Sequence, residues 1–316
     1  MGRFALGTFA GDGADQFPGL VVGEHVLDLR GRFGPNASAL SLLRDWDQTV
    51  AELARLAEQG DTASLDYASL RPLAPVAAGQ ILCAGANYRR HVRQIVYSTM
   101  RLEGDERSDA DVRAEAERMV AQRVSSEPFM FAGLPSALAG ARDDVVLWGP
   151  GYCHDWELEL AVIIATGGRN IDEGDAMRHV AGYTIANDIS TRDVMNRPGL
   201  PMTDFLMSKC RPTFFPTGPY LVPLQFMPDP RSLRITLSVN GQVMQDESVD
   251  DMIHGIERLV SYASTVAGLS PGDMILTGSP AGNAGHHGNR WLVPGDVIEG
   301  EITGLGRQRN RCVAAA

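Results

Sequence analysis

The sequence predicts a β-rich α+β fold in which a small N-terminal α+β module precedes a larger mixed domain of short strands. Three observations carry that prediction. From Gln80 onward, apolar runs of strand length alternate with turns: Ile81-Leu-Cys, Glu157 to Ile164, Val180 to Ile185, Leu233 to Val239, Met274 to Thr277 and Val297 to Ile302. Asn240-Gly241, set between Leu233-Arg-Ile-Thr-Leu-Ser-Val and Val243-Met, is a hairpin signal, because both central residues of such a turn need positive φ. Helical periodicity is sparse and does not alternate with the strands, which excludes a doubly wound sheet or a barrel of alternating β and α.

In chain order, residues 1–75 contain strand-like Gly19-Leu-Val-Val-Gly and Val26-Leu-Asp-Leu, then an amphipathic helical stretch, Thr49-Val-Ala-Glu-Leu-Ala-Arg-Leu-Ala. Gly60 closes that helix, and Pro72 to Pro75 reads as a linker to a second domain over residues 76–316. The module holds no cluster of His, Cys or paired acids, so it reads as a packing or dimerisation appendage. Between His91 and Pro128 lies a polar stretch, Ser98 to Ser126, whose second half, Asp111 to Arg123, has helical composition. It reads as a solvated helix or as a lid over a neighbouring site. Ile253, Ile256, Val260 and Ala263 recur at helical spacing, and Gly268 stands where a C′ glycine belongs, so Asp250 to Ala267 is expected to be one helix. Pro-Gly-Asp occurs at Pro271 and Pro294, each time as a turn before a strand.

The 316 residues are 44% hydrophobic and 21% charged, the composition of a globular chain. With 28 Lys and Arg against 39 Asp and Glu the net charge is −11, and no basic run stands out, so nucleic acid and membrane are not expected partners. No apolar stretch approaches the ~20 residues of a membrane span, and the first residues carry no apolar leader, so a cytoplasmic enzyme is expected. No GxGxxG or Walker sequence supports a nucleotide cofactor. The four cysteines, Cys83, Cys153, Cys210 and Cys312, form no CxxC pair and are expected to be reduced thiols. Of the 28 basic residues 27 are arginine, and Lys209 is the single lysine. Either it is a leftover of a compositional bias, or position 209 needs a compact, rotatable ammonium rather than a planar fork.

Two acidic phrases carry chemistry. In Asp155-Trp-Glu-Leu-Glu-Leu-Ala-Val-Ile-Ile, strand alternation puts Trp156, Leu158 and Leu160 on one face and Glu157 and Glu159 on the other, about 6 to 7 Å apart. Two carboxylates facing together beside an apolar run call for a hard divalent cation between them; the alternative is an exposed edge strand with solvated glutamates. In Ala181-Gly-Tyr-Thr-Ile-Ala-Asn-Asp188-Ile-Ser-Thr-Arg192-Asp193, Asp188 ends an apolar strand, either as a ligand or catalytic group or as a cap of the next turn.

At these residues the chain resembles the fumarylacetoacetate hydrolase family, over about Ile81 to Val313. The matching phrases are Gly85-Ala-Asn-Tyr88-Arg-Arg-His91, Phe129-Met-Phe, Pro135-Ser-Ala-Leu, Asp155-Trp-Glu-Leu-Glu-Leu-Ala and Gly182 to Asp193. Then come Lys209 with Thr213-Phe-Phe-Pro216 and Gly218-Pro219, Val239-Asn-Gly, Thr277-Gly-Ser-Pro-Ala-Gly282, Gly304-Leu-Gly-Arg and Arg309-Asn-Arg311. The resemblance implies a mixed β-sandwich roll, usually a homodimer. It implies Glu157, Glu159 and Asp188 as ligands of Mg²⁺, or of Mn²⁺ or Ca²⁺, and Lys209 as the active-site lysine. His91 is then the general base, Arg192 a clamp for a substrate carboxylate, Gly278 and Ser279 contacts to the same carboxylate, and Tyr88 a residue lining the pocket.

Two positions depart from the family pattern. Gln94 stands where acylpyruvate-cleaving members carry a glutamate that orients the histidine; its amide can still hydrogen-bond the ring but cannot raise its basicity. Met195 replaces a substrate-contacting glutamine. Glu103 or Glu106 of the polar segment could supply the missing acid, and His286 and His287 a proton relay. The implied function is a Mg²⁺-dependent hydrolase that cleaves a C–C bond in a small anionic 2-oxo acid with a 1,3-dicarbonyl, of acylpyruvate or fumarylacetoacetate type, as in aromatic catabolism. The alternatives are a decarboxylase, isomerase or dehydratase working through the same metal-stabilised enolate, or a non-catalytic metal-binding homologue.

Overall fold

The computed structural model describes every residue except Met1, Gly2, Asp12, Ala14, 61–63, Glu103, Pro150, Leu200 and Ala316. The proposed acid Glu103 therefore lies outside the described residues. The N-terminal part builds its own sheet from antiparallel strands Ala5–Ala10, Gln16–Val22 and His25–Asp28, edged by Leu65–Asp66 and Arg71–Pro72. The expected helix is present as Trp46–Gln59, with Leu53 and Ala54 buried and Gly60 ending it at φ +61°. Pro72 corrects the linker reading: Arg71–Pro72 pairs with Phe9 and Ala10 as an edge strand, a position that tolerates the missing N–H. One apolar cluster joins Leu6, Leu20, Leu43 and Trp46 to Ile81, Ala161, Ile163 and Leu276, so this module shares its core with the sheet that follows.

That central sheet runs in the order Met130–Gly133, Ile81–Ala84, Met274–Leu276, Leu158–Ile164, Val180–Asn187, Phe215–Thr217 and Leu138–Gly140, with Val222–Pro223 beside Val180–Asn187. A second sheet orders Gln242–Ser248, Arg234–Val239, Val297–Ile302, Gly306–Ala314 and Val145–Leu147. The two pack face to face. Leu158, Leu160, Val162 and Ile164 meet Ile235, Leu237, Val239, Ile298 and Ile302 in the main core, while Glu159, Ala161 and Ile163 face the other way. The sheets approach closely at Gly300, where an added Cβ would lie 2.6 Å from Leu158. The expected hairpin forms, with Asn240 at φ +52° and Gly241 at φ +80°.

Two helical expectations need correction. The helix expected from Asp250 begins at Ile256 and ends at Val266, and Gly268 is not left-handed, because Ala267 leaves the helix in an extended conformation. The preceding residues are drawn into tertiary hydrogen bonds instead. Ile253 N–H donates to Asn87 O at 2.7 Å, His254 N–H to Asn87 Oδ1 at 2.9 Å, and Asn87 Nδ2 to His254 O at 3.0 Å. No helix is expected at His91, yet the phrase that contains it starts the helix Arg89–Leu102; the helical composition of Asp111 to Arg123 is realised as Asp109–Ser125. The two are linked by Arg93–Glu117 at 2.7 Å, and Arg123 Nη2 donates to Gly85 O at 3.0 Å, which pins the pair to the turn before His91.

Candidate active site

Strand pairing assembles an acidic cluster at one end of the central sheet. Leu158 stands opposite Asn187, and Asp188 N–H donates to Glu157 O at 2.9 Å, so the residues just before and just after the paired segments are neighbours. Asn187 Oδ1 accepts from Glu157 N–H at 2.9 Å and fixes the bend. One oxygen each from Glu157, Glu159 and Asp188 lies within 4.8 Å of the others, and all three residues are buried. The exposed-edge-strand alternative is thereby excluded.

Lys209 closes the short helix Phe205–Lys209 and projects into this cluster, where Nζ donates to Glu157 Oε2 at 2.6 Å and Asp188 Oδ2 at 2.5 Å. It is 3% exposed and lies 5.3 Å from the Phe131 ring, which stacks on Phe205 at 4.2 Å. A compact ammonium meets both carboxylates from a single buried atom, whereas a guanidinium would bring a larger planar group into the same buried space, which is a physical reason for the single lysine. Arg192 Nε and Nη2 hold Asp155 Oδ2 at 2.8 Å, and Nη2 reaches Glu157 Oε1 at 2.6 Å. Through Nε and Nη2 the fork of Arg192 engages two carboxylates of the protein and orients Glu157.

Four buried carboxylates, Asp155, Glu157, Glu159 and Asp188, thus face two cations, an excess of two negative charges. The titration behaviour reflects that imbalance. Burial opposes the charge of Glu157, but Arg192 and Lys209 hold it well below the usual carboxylate range. Glu159 is pushed far up by burial and by the charges of Asp188 and Glu157, and Asp188 is pushed up to about 6 by burial against the pull of Lys209. Asp188 Oδ1 is buried with no hydrogen-bond partner among the described residues. An excess of two charges, an open carboxylate oxygen and an all-oxygen donor set fit a hard divalent cation.

His91 stands on the first turn of Arg89–Leu102, near enough to the cluster for the charges of Glu157, Arg192 and Lys209 to act on it. Its ring is buried, which lowers its pKa to about 4, and Nδ1 has no hydrogen-bond partner among the described residues. Gln94 does not orient it: Gln94 Oε1 accepts from Gly282 N–H at 3.0 Å, so this side chain anchors the glycine-rich loop to the helix. Tyr88 is likewise corrected from a pocket residue to a core residue, fully buried in the main apolar cluster. Gly278 and Ser279 border the cluster, but their polar groups serve the protein. Gly278 N–H donates to Glu159 Oε2 at 2.7 Å from a left-handed turn at φ +97°, where a Cβ would meet Asn87 at 2.9 Å. Ser279 Oγ accepts from Gln245 Nε2 at 3.1 Å and donates to Pro280 O at 3.0 Å.

Met195 is half-buried, Glu106 is exposed in the turn between the helices, and His286 is exposed. His287 Nε2 lies 2.9 Å from Met244 O. Sequence reasoning missed Asp155, Asn187, Gln245 and Asn283, whose buried polar groups hold the cluster together. Asp155 is the one with a visible signal, since it opens the acidic phrase that already drew attention. It holds Arg192, accepts from Ala284 N–H at 2.8 Å and is itself buried.

Comparison with known proteins agrees with this geometry. The profile described as the fumarylacetoacetate (FAA) hydrolase C-terminal region matches residues 80–313. The mitochondrial oxaloacetate tautomerase FAHD2A of Bos taurus is 36% identical over 244 residues, 76% of this chain and 69% of the relative. The mitochondrial oxaloacetate tautomerase FAHD2B of Homo sapiens is 33% identical over 268 residues, 84% of this chain and 77% of the relative. Among solved structures, maleylpyruvate hydrolase from Sphingobium sp. SYK-6 in complex with manganese(II) and pyruvate superposes with a TM-score of 0.75 at 25% identity, covering 99% of this chain and 100% of the other. The matched span contains the strands that carry Glu157, Glu159 and Asp188 and the helix that carries Lys209, and the chain belongs to the fumarylacetoacetate hydrolase family.

Proposed function

We propose that this protein is a tautomerase that interconverts the keto and enol forms of a small 2-oxo diacid such as oxaloacetate. The observation that carries this reading is the engagement of Gln94 by Gly282, which leaves the His91 ring, among the described residues, with no hydrogen-bonded acid to orient it for attack by water. Moving a proton between carbon and oxygen needs a neutral imidazole and a stabilised enolate, and no activated water. Glu157, Glu159 and Asp188 would hold the divalent ion. When bound, that ion supplies the positive charge that lowers the cost of an enolate.

The remaining steps rest on the chain's own side chains. His91, neutral near pH 7 because burial disfavours its charged form, takes a proton from the carbon between the two carbonyl groups and returns it to oxygen. Lys209 stays charged between Glu157 and Asp188 and adds positive potential where the enolate develops. Arg192 keeps Glu157 ionised, and Gly278 N–H fixes Glu159. The similarity to the two oxaloacetate tautomerases supports the same reading.

A second reading, C–C hydrolysis of an acylpyruvate, is favoured by the likeness to a maleylpyruvate hydrolase over nearly the whole chain. The enolate released there would meet the same charges. Chelator-stripped protein, with and without Mg²⁺ or Mn²⁺, should be given oxaloacetate and acylpyruvates. Metal-dependent loss of enol absorbance faster than in buffer, with acylpyruvates intact by NMR, supports the tautomerase. Pyruvate and a carboxylic acid from an acylpyruvate, with oxaloacetate at its buffer rate, replaces it with the hydrolase.

The reading also keeps a domain division at residues 75 and 76, a homodimer and a cytoplasmic setting. The separate N-terminal sheet supports the first; the homodimer rests on the family resemblance alone, and the two oxaloacetate tautomerases similar to this chain are named mitochondrial, which weighs against the cytoplasmic setting. Among the described residues no helix is long and apolar enough to cross a membrane.

A further inference from the structure

The loop after Ser279 brings a side chain to the carboxylate cluster that the mechanism has not used. Asn283 is buried, and its Nδ2 donates to Trp156 O at 2.8 Å while lying 3.4 Å from Glu157 Oε1 and 3.5 Å from Ser279 Oγ. The orientation of the amide is determined by that first contact, because reversing it would set oxygen against the carbonyl oxygen of Trp156. Oδ1 is consequently left at the edge of the cluster, buried and without a hydrogen-bond partner among the described residues.

The groups around it do not serve this oxygen. Carboxylates have no hydrogen to give when ionised, Ser279 directs its hydroxyl to Pro280 O, and Arg192 and Lys209 direct their hydrogen bonds to Asp155, Glu157 and Asp188. A buried acceptor is costly unless something donates to it, and a hydroxyl of a molecule bound in the site is a donor of the right chemistry. We propose that Asn283 is a specificity-determining residue whose amide oxygen accepts a hydrogen bond from the hydroxyl of an enol or 2-hydroxy acid bound beside Glu157. A keto oxygen or a carboxylate offers no such hydrogen, so Asn283 discriminates in favour of the hydroxyl-bearing form. The inference rests on the reading of this site as one for small 2-oxo acids, but not on which reaction it catalyses.

Binding tests it apart from turnover. Wild type, Asn283→Ala and the near-isosteric Asn283→Leu, each in excess Mg²⁺, are titrated calorimetrically with tartronate and with oxalate. Both are small chelating dianions, and only tartronate carries a hydroxyl. The variants should bind tartronate about tenfold more weakly, the scale of one hydrogen bond, and oxalate within about twofold of wild type. Retained oxalate binding also shows that the variant site is folded. Equal losses for the two ligands would mean that the amide only supports Trp156 and the fold, and would overturn the proposal. Unchanged tartronate binding, or a wild type that binds oxalate and not tartronate, would overturn it as well. If the tautomerase reading fails while the tartronate contrast holds, Asn283 keeps its role in a different reaction of the same site.

Discussion

The two walls of the site are built differently. On the strand wall, Glu157, Glu159 and Asp188 are held by partners on several elements: Lys209, Arg192, Asn187 and Gly278. On the helix wall, His91 has a buried Nδ1 without a partner among the described residues, and Gln94, one turn further on, is turned away to a loop. One wall is over-determined and the other leaves a ring nitrogen open. On the proposed reading the contrast separates binding from proton transfer, because a group that fixes a charge needs many restraints and a group that carries a proton needs an open nitrogen.

The strand wall should break hardest. Asp188→Asn removes a candidate ligand and leaves Lys209 with one carboxylate partner, and it should abolish Mg²⁺ binding by calorimetry together with turnover. Lys209→Met leaves Glu157 and Asp188 buried without their shared ammonium; removal of one partner from such a network costs about 3–5 kcal/mol, to be read from denaturant unfolding. Lys209→Arg should retain the fold by circular dichroism but not turnover, and near-normal activity in that variant would sink the argument for a compact ammonium.

The helix wall should lose rate and keep binding. His91→Gln should lower kcat about 10² to 10⁴-fold while oxalate affinity in Mg²⁺ stays close to wild type, because general base catalysis supplies about that factor. Since burial lowers the pKa of His91 to about 4, its base form persists below the usual histidine value. The acid limb of the kcat/KM profile should therefore fall below pH 5, and a limb centred near pH 6.5 would show that His91 is not the base in its buried state. The same shift makes His91 a group whose stabilising neutrality is lost as pH falls from about 6.5 toward 4, so unfolding in acid should ease over that window.

The smallest effect sharpens the comparison rather than breaking it. Gln94→Glu can keep the acceptor for Gly282 N–H while bringing a charge near His91, and it should change tautomerisation less than about threefold while raising any acylpyruvate hydrolysis about tenfold. Gln94→Leu loses the loop anchor, at about 1 kcal/mol in thermal unfolding.

Much of the strand wall was legible because alternation is a local property. Glu157 and Glu159 share a face in any strand of that register, and Asp188 marks the end of the apolar run that pairs with it. The helix wall was harder to read. Arg89–Leu102 has helical amphipathicity that was overlooked, and no property of Gln94 says that its partner is Gly282, 188 residues away. The resemblance implies Arg192 as a clamp for a substrate carboxylate, and its neighbours in sequence do not say which carboxylates of the protein it also holds. One of them is Asp155, which the strand Ser190–Thr191 brings alongside through its pairing with His154–Asp155.

By itself, then, the sequence determined the β-rich α+β fold, the family, the acidic faces and the singularity of Lys209, since each is written in spacing or composition over a few residues. Only the tertiary structure decided which polar groups are already engaged: Gln94 by Gly282, Gly278 by Glu159, Arg192 by Asp155 and Glu157, and the Nδ2 of Asn283 by Trp156. The physical reason is that a buried hydrogen bond is a property of two groups, and in this fold the second group lies far along the chain.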